Sequence, residues 1–208
     1  MPKGSEELTN ARKTEIIAAC KKLYETMSFK EITIKEIGNV TSFTRTSIYN
    51  YFQTKEEIFL AILQEEYDKW NKSLTDILES VEKIERMQFA EMLANMLSER
   101  GLLLKILSMN MYDIEENSRI ERLTEFKKAF GKCLSLVEEC LKKITPEMTA
   151  NERTTFIYSF FPFVYGIYPY TAVTEKQREA MGFAKIDYKY YSVHDIAFNA
   201  AKKLLEIK

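Results

Sequence analysis

The 208-residue chain contains one histidine (His194), three cysteines, four prolines and six glycines. Each scarcity excludes something. General-base catalysis draws on histidine more than on any other side chain, and one histidine cannot build a histidine-rich zinc site. Gly-x-Ser-x-Gly, Cys-x-x-Cys, His-Glu-x-x-His and a phosphate-binding glycine loop are all absent, so an enzyme has no residues to rest on. So few glycines and prolines also leave too few turn residues for a β-sandwich or barrel. Cys20, Cys133 and Cys140 make an odd count, and the first seven residues are polar with no apolar signal core. Reduced, buried thiols in a cytoplasmic protein are therefore expected. Cys133 and Cys140 fall on one helical face, but without His or further Cys beside them no metal site is expected, and no cofactor. Charge of one sign is missing too: 30 Lys and Arg meet 31 Asp and Glu, a net of −1. Any contact with nucleic acid must then come from a local surface.

One long uncharged run needs separate treatment. Residues 154–174 carry no charge over about the length of a bilayer span, but Pro162, Gly166 and Pro169 interrupt them and tyrosine hydroxyls are spread throughout. No second span and no flanking basic cluster accompany the run. It reads as a kinked helix buried in a core or an interface, not as a membrane segment.

The pattern is helical throughout, with no sustained period-2 alternation. Ile16, Cys20, Leu23, Tyr24 and Met27 recur on one face of a helix expected over 10–27, with Thr9 or Asn10 as its cap. Thr33 and Glu36 have capping-box spacing at the head of a short helix that ends near Val40. A third helix is expected from Arg45 to Tyr51, capped by Thr44, with Ile48 and Phe52 facing inward. Thr54 then caps a long helix, 55–78, whose Phe59, Ile62, Leu63, Tyr67, Trp70 and Leu74 form one stripe. Further helices are expected over 86–99, 102–111, 118–144, 150–171, 175–181 and 193–206. Gly101, the acidic stretch 113–117 and Thr145-Pro146 are read as the breaks. No period of 30–50 residues suggests a solenoid.

Residues 33–52 have the spacing of a helix-turn-helix, which lays its second helix in the DNA major groove. The local charge agrees. From Ile37 to Lys55 there are nineteen residues without one Asp or Glu, where 31 acidic residues in 208 would place about three. Arg45 can donate two parallel bonds to guanine, and Asn50 can pair with an adenine edge. Thr46 and Ser47 are short enough to let the helix sit deep, and Tyr49 and Tyr51 can reach phosphates with their hydroxyls. Thr33, Lys35 and Thr44 at the two helix starts, and Lys55 at the start of the next helix, complete the DNA-facing set. By spacing alone, a polar helical surface of a protein-interaction module remains open.

The residues themselves narrow this. Thr33-Ile34-Lys35-Glu36-Ile37 followed by Ser47-Ile48-Tyr49-Asn50-Tyr51-Phe52-Gln53-Thr54-Lys55-Glu56-Glu57-Ile58 resembles the tetracycline-repressor (TetR) family of bacterial one-component regulators. The resemblance covers about residues 10–60, with Tyr49, Phe52 and Lys55 at the family's mutual spacing. It departs at Gly38, where Ala is usual, at Ser42, where a turn Gly is usual, and at Phe43, where Val or Ile is usual. A serine forced to positive φ would be strained by about 1 kcal/mol, and Phe43 would wedge the two helices apart. The resemblance implies an all-α chain: a DNA-binding head over 1–55 and a helical-bundle domain for ligand binding and dimerisation over 56–208.

The body adds features of its own. Eight aromatics lie in the fifteen positions 156–170, and Met92, Met96, Met109 and Met111 could give an adaptable lining. Met92, Met96, Met109, Tyr112, Tyr158, Phe161 and Tyr165 are the expected ligand residues, a plain core or subunit interface being the alternative. No Lys or Arg lies in the aromatic segment, which favours a hydrophobic or neutral effector. Ala197, Ala200 and Ala201 form a small-residue stripe in the last helix that suits packing across a two-fold axis. His194 at its start reads as structural. The expectation is a homodimeric regulator, a repressor, reading a palindromic operator with half-sites about 34–36 Å apart and released by a small molecule.

Overall fold

The computed structural model describes residues 3–80 and 83–206, and every regular element among them is an α-helix. These are α1 (Lys3–Thr26), α2 (Ile34–Asn39), α3 (Arg45–Ile48), α4 (Lys55–Glu79), α5 (Arg86–Ser98), α6 (Gly101–Glu116), α7 (Ile120–Ile144), α8 (Ala150–Gly166), α9 (Tyr168–Thr171), α10 (Glu175–Phe183) and α11 (Val193–Leu204). None of the described helices is long and apolar enough to cross a membrane.

Local chemistry sets most boundaries. Thr33, Thr149, Thr174 and Ser192 each cap a helix by accepting from the amide three residues on. Thr54 does the same for α4, accepting from the Glu57 amide at 3.2 Å. Four expectations are corrected. Helix α1 starts at Lys3 and not near Asn10, because nothing between Ser5 and Thr9 breaks a helix. The acidic stretch 113–116 does not end α6: glutamates propagate a helix, and the break falls at Asn117, whose side-chain amide donates to Asp113 O at 2.8 Å. Helix α3 is shorter than expected, since beyond Ile48 the ladder tightens, Tyr51 N donating to Ile48 O at 2.9 Å. The expected 150–171 helix divides at Ile167, so that Pro169 sits in the first turn of α9, where its missing N–H is no loss.

The described chain forms two compact units, residues 1–67 with 110–130, and residues 68–109 with 131–208. The division between them crosses the chain at 67/68, 109/110 and 130/131. The first crossing lies within α4, and the α6–α7 connection belongs to the first unit.

In the first unit Ile16, Ile37, Ile48, Phe59, Ile62, Leu63, Tyr67 and Phe126 have no exposed surface. Phe59 receives the edges of Tyr24 and Phe29 at centroid distances of 5.0 and 4.8 Å. One buried polar group organises this unit. Glu57, in the first turn of α4, is 1% exposed. Its carboxylate accepts from the Gln53 amide at 2.8 Å and from Arg119 Nε and Nη2 at 2.5 and 2.8 Å. Burial pushes its carboxyl up, but the Arg119 side chain and the Gln53 and Arg119 amides outweigh that and hold it below the ordinary glutamate range. Two further bonds run in parallel: Thr54 Oγ1 to Asn117 O at 3.1 Å, and Arg122 Nη2 to Tyr51 O at 3.2 Å.

In the second unit Trp70 packs on Phe161 at 5.7 Å, and Phe156 stacks on Phe160 at 5.5 Å. Lys143, in the last turn of α7, donates to the carbonyls of Ile77, Leu78 and Ser80 at the end of α4, satisfying acceptors that helix leaves open. Helix α11 lies on α5, with Ala197 and Ala201 fully buried. Of the small-residue stripe, Ala197 and Ala201 are thus used inside the chain, while Ala200 stays half-buried. His194 joins the same contact, its Nε2 lying 2.8 Å from Glu91 Oε1. Cys20, Cys133 and Cys140 are buried free thiols; burial pushes Cys20 and Cys140 up to about 12 and Cys133 higher still, so all three stay protonated.

Two outcomes follow for stability. Because the folded pKa of Glu57 is depressed, its contribution is fully present above the unfolded value of about 4.3 and disappears as pH falls through the folded value. Glu57→Gln should therefore lower unfolding free energy by about 1.5–3 kcal/mol at pH 7 in urea titrations, and the gap from wild type should close in acid. A gap independent of pH would show that the ionised form is not what matters. Ala201→Leu should destabilise by about 1–3 kcal/mol through overpacking against α5, while Asn199→Leu on the exposed side of α11 should stay within about 0.5 kcal/mol.

Candidate nucleic-acid interface

Helices α2 and α3 approach closely because residue 38 has no side chain. A Cβ on Gly38 would lie 3.3 Å from both Cα and Cβ of Arg45. The connector between them does not use a left-handed residue: among the described residues the only non-glycine positions at positive φ are Lys185 and Glu206. Ser42 is therefore unstrained, and the anticipated penalty does not arise. Its hydroxyl donates to Glu15 Oε2 at 3.0 Å while its amide donates to Glu15 Oε1. The Thr41 hydroxyl lies 3.2 Å from the carbonyl oxygens of Gly38 and Phe43 and braces the same turn.

Ile48 and Phe52 are buried, at 0% and 2% exposure, which fixes the opposite side of α3 outward. Thr44, Arg45, Thr46, Tyr49 and Asn50 are exposed there, and Ser47 and Tyr51 are half-buried. Tyr49 is not core; it is 43% exposed, with its hydroxyl 3.1 Å from Arg45 Nη2. The guanidinium also lies over the Tyr49 ring, 5.8 Å from its centroid. Arg45 is thus held along the outer face with its remaining donors available. Thr44 occupies the cap position of α3, but its hydroxyl pairs with Ser47 Oγ at 3.2 Å and bonds no amide. Thr33 is exposed, its hydroxyl accepting from the Glu36 amide at 3.3 Å and pairing with the Glu36 carboxylate, without the reciprocal backbone bond of a capping box; Lys35 beside it is exposed.

Lys55 sits differently from the expectation of a free phosphate ligand. Its Nζ donates to Phe29 O at 2.5 Å and lies 4.2 Å from the Phe29 ring centroid, so part of its hydrogen-bonding capacity is spent within the head. Two other groups were not anticipated. Arg12 of α1 donates to Tyr51 Oη at 3.3 Å and lies over the Phe43 ring, which adds a cation beside α3. Phe43 has Arg12 stacked on it, while the Gly38 contact keeps α2 and α3 close. Glu15 brings a carboxylate to a segment whose own sequence excludes them, but both oxygens are taken up by Ser42. Neither residue was visible from spacing, because each reaches the motif from α1.

The expected ligand residues do not gather in one place. Phe161 and Met96 are buried, Tyr165 is half-buried, and Met92 is partly exposed. Met109, Tyr112 and Tyr158 are 60%, 81% and 74% exposed. A cleft of about 180 Å³ in the second unit is lined instead by Arg86, Glu147, Glu152, Thr155, Phe156 and Leu204, with others. It includes none of the expected residues.

Comparison with known proteins identifies this arrangement. Residues 16–62 match the family described as bacterial regulatory proteins, tetR family. Residues 64–188 match the tetracyclin repressor-like C-terminal domain. Over 73 residues, 35% of the chain, it is 30% identical to the HTH-type transcriptional regulator YfiR of Bacillus subtilis (strain 168), a match spanning 36% of that protein's length. The fold is similar to that of the fatty acid degradation regulator FadR from Bacillus halodurans, with a TM-score of 0.60 and 15% identity over 93% of this chain and 94% of that one. FadR from Bacillus subtilis, solved in complex with stearoyl-CoA, aligns with a TM-score of 0.58 and 14% identity over 92% and 97%. With one family model covering more than half of the sequence and a second covering the helix-turn-helix, the chain belongs to the TetR family of bacterial DNA-binding transcriptional regulators.

Proposed function

We propose that the chain acts as a homodimeric repressor that reads a palindromic operator and is released by an effector with a large apolar body. The observation that carries the DNA reading is the orientation of α3. Ile48 and Phe52 are locked inward, so Arg45, Thr46, Tyr49 and Asn50 form one exposed edge beside Arg12 and Lys35. In this reading Arg45 and Asn50 contact bases, Thr46 and Ser47 contact bases or backbone, and Thr33, Lys35, Thr44, Tyr49, Tyr51 and Lys55 position the head on phosphates. Two-fold symmetry then sets half-sites one helical turn apart.

For release, an effector must bind the DNA-competent and DNA-incompetent geometries with different affinity; tight binding alone shifts nothing. The connection 117–122 is the proposed point of transmission. It holds the end of the recognition segment through Arg122 to Tyr51 O, Thr54 to Asn117 O and the Arg119–Glu57 pair. A movement of α6 or α7 along its own axis would be felt directly at residues 51–57. The class of effector is supported by the aromatic density of residues 156–170 and by the stearoyl-CoA bound to the Bacillus subtilis FadR of similar fold. Phe161, Met96, Met92 and Tyr165, all in the second unit, are the proposed acyl-chain contacts.

Arg45→Ala should weaken operator binding by about 1–3 kcal/mol and relax preference at one base position. Lys35→Ala should weaken all sequences alike and flatten the log K against log salt slope by about one unit. Fluorescence anisotropy with operator and scrambled duplexes distinguishes the two, and a wild-type affinity indifferent to salt would indicate a protein-interaction module instead. Stearoyl-CoA should raise the melting temperature of wild type and lower its operator affinity, whereas coenzyme A alone should do neither. An equal response to both would place recognition in the nucleotide and not in an apolar body.

A further inference from the structure

The cleft at Arg86 lies within the second unit and is lined by none of the residues assigned above to DNA or to an acyl chain. One side chain builds its frame. Arg86, in the first turn of α5, donates through Nη1 to Leu205 O at 3.1 Å and pairs through Nη2 with Glu147. The start of α5, the end of α11 and the α7–α8 connection are thereby held together around the opening. Phe156 and Leu205, both buried, and Met148 and Leu204, both half-buried, give it an apolar floor. Its rim is acidic. Glu147, Glu152 and Glu206 stand there against Arg86, whose charge is spent on Glu147. The Thr149 amide and hydroxyl hold the Glu152 carboxyl below the ordinary glutamate range. Both bonds end on Oε2, at 2.7 and 2.8 Å, which leaves Oε1 for another donor. Glu206 follows α11 at φ 53 with an exposed side chain, beside the carbonyl end of a helix, where positive charge is favoured. At the start of α8, where free amides would attract an anion, Thr149 and Glu152 already answer the donors.

We propose that this cleft binds a small organic amine, its ammonium held by Glu152 and Glu206 and its apolar body laid on Phe156, Met148 and Leu204. Three carboxylates around one committed cation repel each other, and an ammonium offsets that repulsion where an anion would add to it. A metal ion does not fit: among the described residues no three Asp, Glu, His or Cys side chains are grouped to hold one. Size narrows the class further. The volume of about 180 Å³ is about six times a water's share of the liquid and falls below the roughly 300 Å³ at which drug-sized sites begin. A short aryl or alkyl chain can enter, and the acyl chain of the effector cannot. Arg86, Glu147 and Glu206 also border a more open hollow flanked by Ile84, Met87, Ile144 and Pro146, so the apolar end of the amine has further surface to lie on. The site does not depend on the effector reading, since the two differ in residues, size and charge.

The test is isothermal titration calorimetry of full-length protein with phenethylamine at constant ionic strength. One molecule should bind per chain. Phenethyl alcohol, which keeps the body and loses the charge, should bind at least roughly 10-fold more weakly. Methylamine, which keeps the charge and loses the body, should be weaker by a similar factor. Glu206→Gln, at an exposed position, should weaken phenethylamine roughly 10-fold, and Thr155→Trp, which fills the opening, should abolish its binding, both with unchanged far-ultraviolet circular dichroism. Should Thr155→Trp disturb the fold, Glu152→Gln keeps a capping acceptor and should show the same loss as Glu206→Gln. Stearoyl-CoA should leave phenethylamine affinity unchanged. Equal affinities for phenethylamine, methylamine and magnesium would reduce the cleft to a diffuse acidic surface and overturn the proposal. Displacement by stearoyl-CoA would move the amine to the effector site and overturn it as well, as would folded variants that bind phenethylamine like wild type.

Discussion

A carboxylate with almost no exposed surface must be answered by donors on every side, and the head of this regulator is arranged around how Glu57 is answered. The Gln53 amide reaches it from the end of the recognition segment, and Arg119 reaches it with two side-chain nitrogens from the start of α7. Removing either would leave a buried charge without enough donors, which is what makes such a node hard to rearrange in part. The geometry of residues 51–57 is therefore tied to residues 117–122 as a set. Helix α3 alone is one turn long and could not hold its own orientation. Its outer edge points where it does because Ile48 and Phe52 are packed beneath it and because the segment that follows is fastened.

What the sequence made legible was local. Thr33 with Glu36, Thr54 with Glu57, and the Ile48/Phe52 pair each depend on residues three or four apart, and each stands in the structure as spacing requires. The stripe Phe59–Leu74 on α4 is fully buried for the same reason. What escaped depends on long separations. Glu15 reaches Ser42 across 27 residues, Arg12 reaches Tyr51 across 39, and Arg119 reaches Glu57 across 62. No periodicity encodes such meetings. The alanine stripe of α11 shows a different limit: small residues say that a helix packs closely, but not against which partner, and Ala197 and Ala201 are buried where α11 lies on α5. The aromatic segment is the least legible of all. Residues 156–170 carry eight aromatics, but whether a given ring faces core, ligand or another chain depends on the helix's neighbours.

Scarcity of charge at the interface has a consequence for how DNA is held. The whole chain has no net attraction for phosphate, and in the proposed reading a head would bring Arg12, Lys35 and Arg45 to the groove, with Lys55 partly committed to Phe29. Each phosphate neutralised contributes a slope of about −0.9 in log K against log salt, so one head with three or four cations binds weakly at physiological ionic strength. In the proposed homodimer two linked heads would change this, because the second contact would become intramolecular and take place at a high effective concentration. It does so only while the separation of the heads matches the half-sites. A weakly charged head thus makes spacing decisive, and a modest change in geometry is enough to lose most of the avidity. More cations on each head would raise affinity for any duplex and would make the protein harder to release. On that argument the shortage of basic residues around α3 is itself part of how a regulator of this kind stays responsive.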